Sequence, residues 1–294
     1  MNLSVILISN PAAKKASAKK IAAASYYLQS KGCSVEVLFT GKRGDAAVLA
    51  RETINKSPSL IIAAGGDGTI NEIANGIAGS EIPMAILPLG TVNVLARELG
   101  IPEDIKGALK IALTGTPRPV TLGKILCSHL STSVSRYFVL MAGIGYDADS
   151  VFCISETVKK FSGKSAYILG GIQALTRFSP NELTVSVDGN KFSGYSAIIG
   201  NVSKYGGNFR VTPDARITDP FLYICLFKGK KRIDLLRYVS GIITGRHLRF
   251  RDIEYLRAES VEITGNAHVQ IDGDYLGMTP AKIEVVRDAL RLVF

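Results

Sequence analysis

"AAGGDGTINEIANG", residues 63–76, follows the apolar run 60–64 and passes directly into helical spacing. That order reads as strand, loop and helix in immediate succession. Gly65, Gly66 and Gly68 strip the loop of side chains, so its backbone can lie against a ligand. The amides of a helix start point at whatever lies there, and a phosphate chain fits that description. Asp67 is the one carboxylate in the loop, and no cap or stripe of its own helix requires it. A carboxylate beside phosphates repels them unless a cation such as Mg2+ stands between. Thr69 and Glu72 have the T-x-x-E spacing of a capping box, so Glu72 reads as a cap as readily as a site residue. Ile70, Ile73, Ala74 and Ile77 form one apolar stripe.

Outward from this stretch the same rhythm recurs. "LSVILIS" (3–9), "SVEVLF" (34–39), "LIIAA" (60–64) and "MAILP" (84–88) are short apolar runs, with helical spacing at 14–30, 45–55 and 69–78 between them. This predicts βαβ units in a doubly wound α/β domain, a mostly parallel sheet with helices on both faces. "PLGTVNVLARELGIP" (88–102) repeats the glycine-loop design: Gly90 and Thr91 end a strand, and Val92, Leu95, Ala96 and Leu99 share one helix face. Asn10 in "SNPAAKK" and Thr40 in "FTGKRGDA" fall in the same row, beyond the carboxyl ends of strands, where ligands of open α/β sheets bind.

After Pro117 the pattern changes to strand-like runs, with Asp188-Gly189 a hairpin signal and helical spacing only at about 148–178 and 232–243. The expected division is an α/β domain over residues 1–120 and a β-rich domain over 121–294, whose last strand is free to return to the first domain. The four cysteines (Cys33, Cys127, Cys153, Cys225) include no CxxC pair, and His129, His247 and His268 have no ligand spacing, so neither a disulfide frame nor a zinc site is signalled. The net charge of +10, clustered at 14–20, 228–232 and 245–251, suits an anionic partner: nucleotide phosphates, nucleic acid or an acidic membrane surface. No apolar run approaches the ~18–20 residues of a membrane span, and the N-terminus lacks a basic leader, so a soluble cytosolic protein is expected. "GKS" at 163–165 lacks the upstream glycine of a Walker A loop. "GIGYDA" (143–148) lies past the first βαβ unit without the acidic partner of a dinucleotide site.

Taken together, "GGDGTINEIANGI", "PLGTVNVLARELGIP", "TGKRGDAAVLA" (40–50), "GIGYDA", "YGGNFRVTPDARITD" (205–219) and "VQIDGDYLG" (269–277) resemble the diacylglycerol kinase catalytic domain family. The likeness is to its soluble bacterial-type lipid kinases, relatives of sphingosine kinase. It implies a nucleotide-binding α/β domain followed by a β-sandwich, with the active site in the cleft between them. It places ATP contacts at Asn10, Thr40, Gly65, Gly66, Asp67, Gly68, Thr69, Asn71, Glu72 and Thr91. The family's D-G-E matches "DGD", so Asp272 or Asp274 would be the general base, with Asp67 in the metal-linked catalytic role. A second-domain cation would fall on Asp219 and the carbonyls of Arg216 and Phe221.

The departures are as specific. Ala13 and Lys14 replace the serine and glycine of the family's N-P-x-S-G, and Val94 and Thr121 replace two acids of a magnesium and water network. "TDP" (218–220) replaces D-D-G. The expectation is therefore an ATP- and Mg2+-dependent kinase of a lipid hydroxyl, serving phospholipid metabolism and meeting an anionic membrane peripherally. The changes point to a lipid other than that of a diacylglycerol kinase proper, or to weakened activity. A soluble-substrate kinase of the NAD kinase type and a catalytically silent lipid- or nucleotide-binding protein are the alternatives, and a homodimer is left open. Nucleic-acid binding ranks last, since no interleaved aromatics, helix-turn-helix or zinc pattern accompanies the charge.

Overall fold

The computed structural model describes residues 3–129, 132–149 and 180–294. Contacts divide the chain into two compact units, Met1–Leu122 with Val286–Phe294, and Gly123–Val285.

The first unit runs β1 (Ser4–Ser9), α1 (Ala18–Ser30), β2 (Ser34–Phe39), α2 (Asp45–Thr53), β3 (Leu60–Gly65), α3 (Asp67–Ile77), β4 (Pro83–Pro88), α4 (Val94–Glu98) and α5 (Ile105–Thr114). Its strands pair in parallel in the order β2-β1-β3-β4. Arg291 and Leu292 of the chain's last strand lie parallel to β4 on the far edge. Val5–Ile8 and Ile61–Ala64 are at most 2% exposed, which is why these strands read as continuous apolar runs instead of alternating ones. The stripe Ile70, Ile73, Ala74 and Ile77 is buried, each isoleucine contributing about 1.5–3 kcal/mol. α1 begins later than the spacing at 14 predicts, because the Ser17 hydroxyl caps it by accepting from Lys20 N–H. The residues before it form a loop tied down by Lys15 N–H, which donates to Leu89 O at 3.0 Å.

Into the second unit lead β5 (Pro117–His129), β6 (Thr132–Phe138) and β7 (Met141–Ile144). They are followed by β8 (Leu183–Val187), β9 (Asn190–Gly194), β10 (Ser196–Gly200), β11 (Lys204–Tyr205), β12 (Phe209–Arg210), β13 (Leu222–Phe227) and α6 (Arg232–Ile243). The last strands are β14 (Ile253–Ala258), β15 (Ser260–Thr264), β16 (His268–Ile271) and β17 (Asp274–Val293). One layer is the antiparallel series β14-β13-β10-β7-β16-β17, and β15 links β17 to the β8–β9 hairpin. Alternate residues of these strands, among them Val185, Ile224, Ile263, Val269 and Ile283, join Phe138 in one core. Asp188-Gly189 turns between β8 and β9 and Asp272-Gly273 between β16 and β17, all four residues at positive φ as a two-residue hairpin demands. A helical turn opens at 146–149, while most of the predicted helical spacing at 148–178, and Cys153, lie outside the described residues. Cys33, Cys127 and Cys225 are free and buried. Burial pushes Cys127 up to about 11 and Cys225 to about 12, so both remain thiols.

Candidate active site

Beyond the carboxyl ends of β1, β3 and β4 three loops are laced together. The Asn10 amide donates to the Thr69 hydroxyl at 3.4 Å and accepts from Ala12 N–H at 2.9 Å. Gly66 and Gly90 meet backbone to backbone: a Cβ on Gly90 would stand 2.5 Å from the Cα of Gly66. Gly65 is crowded in the same way by Thr69. These three glycines are therefore explained by packing. Gly68 is not: it is exposed, lies inside α3, and a Cβ there would meet nothing within 4 Å. Alanine would favour the helix by roughly 0.5–1 kcal/mol. The bare position leaves the backbone open to an incoming group beside the amides of Gly68 and Thr69, which have no partner among the described residues.

Asp67 and Glu72 have structural duties that spacing rules did not show. Glu72 forms no capping box with Thr69, because α3 starts two residues earlier, at Asp67, with Gly66 as its cap. Its carboxylate reaches across to α2 and accepts from Gly44 N–H at 2.9 Å and Ala46 N–H at 3.1 Å. Asp67 is likewise a cap, though of another helix: it accepts from Val94 N–H at 3.0 Å and Leu95 N–H at 3.1 Å at the start of α4. The helix predicted from Val92 accordingly begins at Val94, with Asn93 left-handed and clasping Gly90. Burial pushes the Asp67 carboxyl above its ordinary range, opposed by those two amides and by Arg97. Of the three helix starts, α2 and α4 thus take carboxylates from a neighbouring helix, whereas α3 carries its own acid, Asp67, in its first turn, bonded also to its own N–H. Thr40, just after β2, is almost wholly buried, Thr91 is exposed beside Gly90, and Asn71 is buried in α3, its carbonyl accepting from the Asn75 amide.

In the second unit the Asp272 carboxylate accepts from Val139, Leu140 and Met141 N–H at 2.8–2.9 Å. Both of its oxygens are engaged in holding the hairpin to the β6–β7 turn. Asp274, two residues on, is 30% exposed in its side chain and has Arg136 at 4.0 Å. Close behind lies a buried acid that no spacing rule marked. Asp147 accepts from Tyr205 OH and from the Gln270 amide, the latter at 2.5 Å, while Gln270 accepts from Gly273 N–H of the same hairpin. Burial pushes the Asp147 carboxyl up, against the pull of these two donors. Asp149 pairs with His268 at 2.6 Å. Asp147, Tyr205 and Gln270 come from three of the stretches that carried the resemblance, "GIGYDA", "YGGNFRVTPDARITD" and "VQIDGDYLG". Asp147 and Tyr205 also line a cavity of about 100 Å³ whose other walls include Ile198, Val211, Phe227, Leu235 and Ile242.

The expected second-domain cation finds no fitting donor set. Asp219 accepts from Arg216 N–H, and the Arg216 carbonyl accepts from Asp219 N–H, so the turn closes on itself. Thr218 and Pro220 add no carboxylate, Phe221 packs its ring edge-on to Tyr223, and no three His, Cys, Asp or Glu residues gather among the described residues.

These two units define an α/β nucleotide-binding domain followed by a β-sandwich domain. Residues 4–125 match the diacylglycerol kinase catalytic domain, and residues 141–294 match the YegS C-terminal NAD kinase beta sandwich-like domain. A diacylglycerol kinase of Bacillus subtilis is 30% identical over 284 residues, covering 94% of this chain and 91% of the relative. A diacylglycerol kinase structure from Bacillus anthracis superposes with a TM-score of 0.69 at 24% identity, covering 99% and 96% of the two chains. Yeast NADH kinase complexed with NADH shares the fold at a TM-score of 0.55 and 10% identity, covering 99% and 83%. The chain belongs to the diacylglycerol kinase catalytic domain family, and it is a kinase by kinship.

Proposed function

We propose that the protein transfers the γ-phosphate of ATP to a hydroxyl of a lipid of the diacylglycerol class, in phospholipid metabolism at a membrane surface. The observation that carries the nucleotide half is Gly68: a helix position kept bare at a cost in stability, beside unpartnered amides, where a phosphate can approach. Thr69 follows it in the chain and accepts from the Asn10 amide. Mg2+ arrives with ATP as part of the substrate, and Asp67 is the carboxylate nearest that position in sequence. The acceptor half is supported by the apolar cavity ending at Asp147, a shape suited to an apolar molecule with one polar end.

Phosphoryl transfer demands positioning and charge neutralisation more than covalent chemistry. The acceptor hydroxyl oxygen bonds to the γ-phosphorus, the bond from that phosphorus to the bridging oxygen breaks, and ADP leaves. The hydroxyl proton passes to a carboxylate. Asp274 suits this role better than Asp272, whose two oxygens already accept three amides.

The test is purified protein with radiolabelled ATP, Mg2+ and a total-lipid extract in mixed micelles, beside Asp274→Asn. A labelled lipid that falls by about 100-fold in the variant supports the reading. Label appearing on added NAD instead replaces it with a soluble acceptor. ATP binding by calorimetry without any labelled product identifies a silent binding protein.

A further inference from the structure

Helix α6 is apolar on two sides. Leu235, Tyr238 and Ile242 face inward and line the cavity. On the other side Ile233 is 66% exposed, Leu236 51% and Ile243 57%, and Val239, which also lines the cavity, is 42% exposed between the two sides. At 3.6 residues per turn these four fall within an arc of roughly 120°. Scattered apolar side chains on a surface are ordinary, but an aligned set on one helix marks a contact face. Strand β12 packs beside α6 and adds Phe209, which is 43% exposed.

The charges around the stripe say what covers it. Residues 228–251 hold eight lysines and arginines against one aspartate. Lys228 pairs with Glu254 and Arg237 with Asp252, whereas Lys230 and Lys231 before the helix, and Arg246, Arg249 and Arg251 beyond it, are exposed. Asp234 already serves the helix start by accepting from Lys231 N–H at 3.1 Å, so the Lys230 and Lys231 side chains stand as an exposed cationic cluster that an acidic surface would meet. A second copy of the chain, meeting the stripe through two-fold symmetry, would bring one basic cluster against another. A bilayer with anionic head groups answers both features, taking the stripe into the acyl boundary and the clusters at the head groups. We propose that α6 is the element by which the protein docks on an anionic lipid bilayer. The proposal rests on the lipid-acceptor reading for its purpose, while docking itself needs no turnover.

The test is co-sedimentation with sucrose-loaded phosphatidylcholine vesicles, with and without phosphatidylglycerol, in the absence of ATP. Wild-type protein is expected to bind the phosphatidylglycerol vesicles about tenfold better, and less well at high salt. The paired change Leu236→Asp with Ile243→Asp is expected to weaken binding about tenfold, and Lys230→Glu with Lys231→Glu to do the same while flattening the salt dependence. Unchanged circular dichroism and thermal transition show that each pair of changes leaves the fold intact. Wild-type binding by both folded variants overturns the proposal. So does a wild-type dimer by light scattering that Leu236→Asp with Ile243→Asp splits, since the stripe then belongs to a second copy. A kinase assay in micelles reads the lipid-acceptor proposal separately, so failure of either is distinguishable from failure of the other.

Discussion

Among single residues, Gly68 and Gly90 separate two reasons for a glycine. Gly90→Ala drives a methyl into Gly66 and is expected to cost about 1–3 kcal/mol, seen as a lower thermal transition. Gly68→Ala has open space and a helical setting, so stability is expected to hold or rise by up to about 1 kcal/mol, while ATP affinity by calorimetry falls about tenfold. Equal ATP binding by Gly68→Ala would sink the phosphate assignment. Asp147 makes a prediction of a different kind. Its carboxyl is pushed up by burial, so between the ordinary carboxylate range and its raised value the folded protein binds more protons than the unfolded chain. Stability from this group is therefore lost as pH rises through that window. Asp147→Asn carries no such penalty, and its thermal transition should gain on the wild type as pH goes from about 4 to about 7, whatever the fixed cost of the lost hydrogen bond.

At the level of elements, each of two helices takes its cap from a neighbour. Asp67 opens α3 but caps α4, and Glu72 in α3 caps α2. Asp67→Ala is expected to lose about 2 kcal/mol of stability together with activity, so loss of activity alone in that variant says little about a metal. Glu72→Ala should lower the thermal transition by the equivalent of about 1–2 kcal/mol with ATP affinity largely kept. The strands of the first unit were legible because a parallel strand covered on both faces is a plain apolar run. Of its helices, α1 to α4 were legible, α2 from its first residue and the others apart from their starts, whereas α5 carried no expectation. A spacing rule sees partners three or four residues away, whereas Asp67 serves amides 27 and 28 residues on. The Asp147 cluster was hidden for the same reason: β7, β10 and β16 must pair before residues 147, 205 and 270 can meet.

Across the whole molecule, the first compact unit is built from two separate stretches of chain, since Val286–Phe294 belongs with Met1–Leu122, while the second is the single stretch Gly123–Val285 between them. Leu290, Leu292 and Val293 are at most 2% exposed, each contributing about 1.5–3 kcal/mol, and Arg291 reaches Glu81 at 2.9 Å. Deleting residues 286–294 should therefore abolish the cooperative thermal transition of the first unit, read by loss of ATP binding, although every residue proposed to face the nucleotide is still present. The sequence left the return of the last strand open because β17, at 20 residues, alternates like any antiparallel strand until its final turn beside β4. This arrangement also sets an order of events at the ribosome. At roughly 5–20 residues per second, about 8–30 s separate synthesis of Leu122 from synthesis of the residues that close its sheet. Until residues 291 and 292 are made, β4 keeps an open edge, so the sheet begun first is closed only after the second unit has been synthesised.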